Sequence, residues 1–163
     1  QTAHSYVRSK AQLLGISYQD FTNYDIHIHF PSEAIPKDGP SAGMTICLVI
    51  ASVMSEKAIR NDLAMSGEVS LRVNILPVGG IKEKLSAARR VGIKKIILPK
   101  SNQRNLPDLP EELISELEFI WVDRMEEVFE KALIGFGKQK KIFEVIKREV
   151  EKAGRKKKKR KKS

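Results

Sequence analysis

The chain is short of cysteine, of aromatic residues and of long apolar runs, and each shortage excludes a class of protein. A single cysteine, Cys47, excludes an internal disulfide and a zinc site built from thiolates. It fits a reducing compartment. No apolar run approaches the ~20 residues that span a bilayer. The longest near-continuous one, residues 44–54, contains Thr45 and Ser52. The opening Gln1-Thr-Ala-His-Ser-Tyr has neither an initiator Met nor an apolar h-region. No signal peptide is expected, and the chain reads as a fragment or a processed piece. No G-x-x-x-x-G-K-[ST] occurs, so these residues are not expected to bind ATP.

Charge is what the chain has in excess. Of 163 residues 30 are basic and 20 acidic, a formal net charge of +10. Residues 155–162 are eight consecutive lysines and arginines, which leaves +2 for everything else. The body is nearly balanced, and the basic character belongs to a tail. At 41 % hydrophobic and 31 % charged, the composition is that of an ordinary globular protein of one domain.

Residues 1–14 carry apolar positions at Ala3, Tyr6, Val7, Ala11 and Leu14, a helical rhythm that Gly15 stops. Residues 24–30 alternate, with Tyr24, Ile26, Ile28 and Phe30 on one face and Asp25, His27 and His29 on the other. That pattern predicts a half-buried strand. Residues 31–40 hold three prolines and form a loop. Residues 41–54 read as a helix apolar nearly all round, hence buried. Short strands are expected at 63–65, 68–71, 73–78, 95–98 and 118–122, with helices from Ile81 to about Val91 and over 111–116. Residues 102–110 read as a polar loop. Asp123 is a good N-cap for a helix whose stripe is Met125, Val128, Phe129, Ala132 and Leu133. Interleaved strands and helices make the fold class α+β or α/β, in layers. The compact domain covers about residues 1–135, a helical extension 136–154 and a disordered basic tail 155–163.

The informative stretch is Pro36-Lys-Asp-Gly-Pro-Ser-Ala-Gly43. A loop stiffened by two prolines delivers Ser41 to the first turn of a buried helix, where free N–H groups and the positive dipole end collect. Small Ala42 and Gly43 allow another backbone or a substrate carbonyl to come close. A hydroxyl beside unsatisfied donors suits acyl transfer, because the donors stabilise the developing oxyanion. The plainer alternative is that Ser41 or Asp38 only caps the helix.

A serine nucleophile needs a base. The histidines are His4, His27 and His29, and the last two, two apart on one strand face, lack a third partner for a metal. Lysine is the other option, since burial lowers its proton affinity. On the helix from Ile81, taken as 0°, Leu85 falls at about 40°, Ala88 at about 340° and Val91 at about 280°. Lys84 falls inside that apolar arc at about 300°, and Lys82 outside it at about 100°. Lys84 is thus the lysine pressed toward the core, unless its amine snorkels to water.

These two stretches resemble a known family. Pro36-Lys-Asp-Gly-Pro-Ser-Ala-Gly43 is similar to the active-site motif of Lon proteases, and Gly79-Gly-Ile-Lys-Glu-Lys84 to the lysine motif of the same family. The 43-residue step from Ser41 to Lys84 agrees, as do His27-Ile-His29 and Met65-Ser-Gly-Glu-Val-Ser-Leu-Arg72. The resemblance runs from the first helix to about Leu133.

It implies an α+β fold of the kind seen in the second domain of ribosomal protein S5, with the domain's first strands lying upstream of this chain. It implies a Ser-Lys dyad with Ser41 as nucleophile and Lys84 as general base, and an oxyanion site at the backbone of Ser41 and Ala42. Ser66 stands where the family commonly has Thr and is expected to orient the Lys84 ammonium. Asp38 would contact Lys84 or gate the site, and His29 and Glu68 would support it. The resemblance further implies a homohexameric, cytoplasmic enzyme (mitochondrial if eukaryotic) that degrades unfolded proteins to short peptides. ATP and Mg²⁺ would bind an ATPase module outside this chain. No metal or cofactor is expected in the chain itself, and no membrane partner. Alone, it is expected to cleave folded proteins poorly.

Two other readings follow from the same residues. One is an inactive Lon-like interaction domain, as DNA-repair ATPases carry, against which the presence of both Ser41 and Lys84 argues. The other is nucleic-acid contact through the basic residues 155–162. As a module built for that purpose, it would need aromatic residues among the basic ones, and the tail has none.

Overall fold

The computed structural model describes residues 2–29, 40–70 and 74–160, with the backbone alone at 139 and 153–160. The first helical rhythm is realised as two helices, α1 (Thr2–Ser9) and α2 (Ala11–Leu14). They part at Lys10, where the Ser9 hydroxyl donates to the Tyr6 carbonyl at 2.6 Å and competes for an acceptor the helix uses. Gly15 ends α2 in the left-handed conformation at φ 75°, its N–H returning to the carbonyls of Ala11 and Gln12.

A short helix, α3 (Asp20–Asn23), leads into residues 24–29, which belong to no ladder. The expected strand is therefore corrected. A strand is defined by its partner, and among the described residues none runs beside this stretch. Tyr24 begins it in an extended conformation, and Tyr24, Ile26 and Ile28 are all exposed.

A 3₁₀ turn (Pro40–Ala42) opens α4 (Gly43–Ser55), the helix expected from the apolar run. Met44, Cys47, Leu48, Ile50 and Ala51 are buried, but Val49 is 46 % and Val53 70 % exposed, so α4 is covered on one side only. Then come β1 (Leu63–Met65), β2 (Glu68–Val69), β3 (Ile75–Leu76), α5 (Ile81–Arg90) and β4 (Lys95–Pro99). Most of the loop expected over residues 102–110 instead belongs to a 3₁₀ helix (Lys100–Asp108). α6 (Glu111–Ser115), β5 (Glu118–Val122) and α7 (Met125–Ala132) follow. Asp123 does not cap α7. Arg124 holds the cap position, while the Asp123 carboxylate lies 3.8 Å from Lys100 and its N–H donates to Glu127 at 2.8 Å.

The main sheet has the order β1-β4-β5, all parallel, with β4 central; β2 and β3 form a separate antiparallel pair. Strand alternation divides the core in two. Ile96 and Leu98 face one side, with Ile81 and Leu85 of α5 and Leu113 and Leu117 around α6. Ile97 faces the other, with α1, α2, α4 and α7. The sheet is therefore a middle layer between helices, an α+β arrangement built around a short parallel sheet, as expected.

The last helix, α8 (Phe136–Arg160), is longer than expected. It passes from the extension through the basic run to Arg160, where the composition suggested a disordered tail. Lysine and arginine are good helix formers, and cations are favoured at a helix C-terminus.

Candidate active site

Two moorings at the carboxyl edge of the parallel sheet fix the functional elements. The first holds the serine turn. Beyond the end of β1, the Ser66 N–H donates to the Ile97 carbonyl of β4 at 3.2 Å. From that anchored turn, the Gly67 N–H donates to the Ser41 carbonyl at 3.1 Å and the Ser66 hydroxyl to the same carbonyl at 3.4 Å. In return the Gly67 carbonyl accepts from the Met44 N–H at 3.0 Å. Residues 66–67 thus clamp the start of α4 from both ends of its first turn.

Small residues make this approach possible. A Cβ on Gly43 would sit 3.1 Å from the Val69 nitrogen, and one on Gly67 would meet Ile75 and Met44 at 3.0 and 3.1 Å. The predicted need for a small residue after Ser41 is met by the protein's own backbone at 67–69. The capping alternative weakens. Ala42 occupies the N-cap of α4, and no side chain bonds there among the described residues. Asp38 lies outside the described residues.

The second mooring holds the lysine helix. Asn102 follows the end of β4 and is 2 % exposed. Its amide makes two bonds to one residue: the Val78 N–H donates to its Oδ1 at 3.0 Å, and its Nδ2 donates to the Val78 carbonyl at 2.9 Å. A third bond goes to Asn105 Oδ1 at 2.9 Å. Val78 is two residues from Gly80, which caps α5 in the left-handed region at φ 63°. Asn102 escaped the sequence reading because it sits in a stretch that looked like a polar loop. Its signal was slight: one amide just past a buried strand.

Lys84 is half-buried and Lys82 exposed, as the helical wheel predicted. The Lys84 amine folds back over the entry to its own helix, 3.6 Å from where a Cβ on Gly80 would be. Among the described residues it makes no hydrogen bond or ion pair to Ser41. Ser66, expected to orient Lys84, is buried and donates to the Ser41 backbone instead. Glu68 lies half-buried in β2, paired with Leu76 of β3. His29 is exposed in the extended segment. Among the described residues no group of three or more His, Cys, Asp or Glu could hold a metal.

A groove of about 620 Å³ runs between residues 24–29 and the uncovered side of α4, walled by Tyr24, Ile26, Ile46, Val49 and Val53. Cys47, on the opposite, buried side of α4, is no nucleophile: burial pushes its thiol up to about 12.

Residues 1–135 match the family model described as the Lon protease (S16) C-terminal proteolytic domain. The Lon protease of Desulforamulus reducens is 51 % identical over 134 residues, which are 82 % of this chain and 16 % of that protein. Lon protease 1 of Myxococcus xanthus is 48 % identical over the same length and shares. The Lon protease of Anaeromyxobacter dehalogenans is 53 % identical over 133 residues, again 82 % and 16 %. The chain thus spans about 16 % of the length of these relatives. With a family match across nearly the whole folded body, the chain belongs to the Lon protease family and carries its C-terminal proteolytic domain.

Proposed function

We propose that the chain is the proteolytic part of an ATP-dependent Lon-type peptidase, acting on unfolded polypeptide through a Ser41–Lys84 dyad. One observation carries the reading most: the turn that bears Ser41 and the helix that bears Lys84 are moored at the same carboxyl edge of one parallel sheet. In sheets of this kind, ligands bind outside that edge.

In the proposed reaction, Ser41 Oγ attacks the scissile carbonyl while the neutral Lys84 amine takes its proton. The tetrahedral oxyanion is held by backbone N–H groups at the entry of α4. Met44's N–H is already engaged by Gly67, and in the proposal those of Ser41 and Ala42 take the role. The Lys84 ammonium then returns a proton to the leaving amine. Water, deprotonated by Lys84, resolves the acyl-enzyme. Ser66 supports this chemistry through the Ser41 backbone. Asp38, His29 and Glu68 are supporting residues in the proposal.

ATP and Mg²⁺ would act on a separate module that feeds substrate, in a hexameric ring in the cytoplasm. The test is hydrolysis of an unstructured fluorogenic peptide. Ser41→Ala, Lys84→Ala and the double variant should lose the same factor, of order 10³ or more, because residues acting as a unit are not additive. Losses that multiply in the double variant would contradict the dyad.

A further inference from the structure

Helix α8 carries a feature that peptide hydrolysis does not use. Phe136 anchors it, fully buried and edge-on to Phe129 at 5.7 Å. Lys140 adds an ion pair to Glu130 of α7. Beyond Phe143 the support ends, and every side chain from Glu144 to Lys152 is exposed. Yet Ile142, just before this length, and Val145, Ile146 and Val150 within it are apolar side chains 54–66 % exposed. At 100° per residue they fall within an arc of about 140°. Glu149 falls in that arc too, tied to Lys152 at 2.9 Å. The opposite arc holds Lys140, Lys147 and Arg148 together with Glu144 and Glu151.

The charge is as lopsided as the apolar stripe. Residues 136–163 contain fourteen lysines and arginines against three glutamates, while the rest of the chain has sixteen basic against seventeen acidic residues. The whole positive excess is concentrated on this one segment.

An occupant of the stripe has to tolerate that charge. A second copy of α8 would bring two strongly cationic helices side by side, and the repulsion opposes pairing over so short a stripe. A nucleic acid would satisfy the cations but leave four aliphatic side chains in water, and no aromatic residue stands among 155–162 to stack on bases. An anionic bilayer surface takes both features at once. The aliphatic arc enters the headgroup boundary, lysine stems flank it, and the basic run stays with the acidic headgroups.

We propose that α8 is an interfacial anchor that docks the domain on an anionic lipid surface. No described helix is long and apolar enough to cross a membrane, and this docking needs none. The expectation of no membrane partner narrows to no spanning helix. The proposal stands independently of the Ser41–Lys84 reading.

The test is flotation of the full chain with vesicles of phosphatidylcholine, with and without phosphatidylglycerol, at low and high salt. Binding should require phosphatidylglycerol and weaken at high salt. The double variant Ile142→Ala/Ile146→Ala keeps helix propensity and removes no buried contact; circular dichroism confirms its helix. It should bind about tenfold more weakly, because both signals contribute. Three results would overturn the proposal: no preference for phosphatidylglycerol, unchanged binding by the double variant, or tighter binding to duplex DNA than to vesicles. The last would make nucleic acid the partner.

Discussion

At the residue scale, side chains that bind backbone decide where the chemistry sits. Asn102 is the clearest case. Its buried amide satisfies both backbone groups of Val78 just ahead of the lysine helix, and its removal would take both partners away. Asn102→Ala should cost about 1–3 kcal/mol in urea unfolding. It should also slow modification of Ser41 by an acylating probe while leaving Ser41 essential, as expected of a positioning residue. Cys47 makes the opposite point. With its thiol pushed up to about 12 by burial, it should resist a thiol reagent in the native protein and react once the chain is unfolded. Rapid native reaction would mean that α4 does not pack as described. The half-buried Lys84 and the exposed Lys82 were legible in the sequence because helical phase is a local property. The bond from Ser66 to the Ser41 backbone joins positions 25 residues apart and leaves no local trace.

At the element scale, contact between α4 and the 66–69 turn is the tightest joint near the site. Gly43→Ala would drive a Cβ to 3.1 Å from the Val69 nitrogen, a backbone atom that yields little. We expect a loss of about 1–3 kcal/mol. Gly79→Ala meets nothing within 4 Å and should stay within about 0.5 kcal/mol. Equal effects on melting would remove the close-approach argument.

A second joint links the start of α2 to α7, where Lys10 and Glu126 meet at 2.7 Å. Burial tends to raise the pKa of Glu126, but the bond and charge of Lys10 hold it below the usual carboxylate range. A carboxyl depressed in the folded state stabilises above its unfolded pKa and loses that contribution as pH falls through the folded value. Glu126→Gln should therefore narrow the stability difference between neutral and acidic pH; an unchanged acid profile would refute the link. Most helices and strands of the body were readable from periodicity, but the strand at 24–30 was not. Alternation reports two faces and says nothing of whether a neighbour supplies the hydrogen bonds. The 3₁₀ helix at 100–108 was missed for a related reason, since its polar residues resemble a loop until Asn102 is seen to anchor it.

At the scale of the whole molecule, the chain divides its labour along its length. Residues 1–135 form a nearly neutral layered body with the proposed hydrolytic edge, and α8 gathers the positive charge. The fold class and the cationic segment were both visible in composition and spacing. Helix as far as Arg160 was not, because runs of like charge predict disorder unless helix propensity and the dipole are weighed against repulsion. The proposed hydrolytic role depends on Ser41 being activated by Lys84, and labelling with a fluorophosphonate probe, mapped to the modified residue, tests it most directly. Adduct should form on Ser41 in the unaltered chain and not in Lys84→Ala at neutral pH. Undiminished labelling of Ser41 in Lys84→Ala would contradict that role.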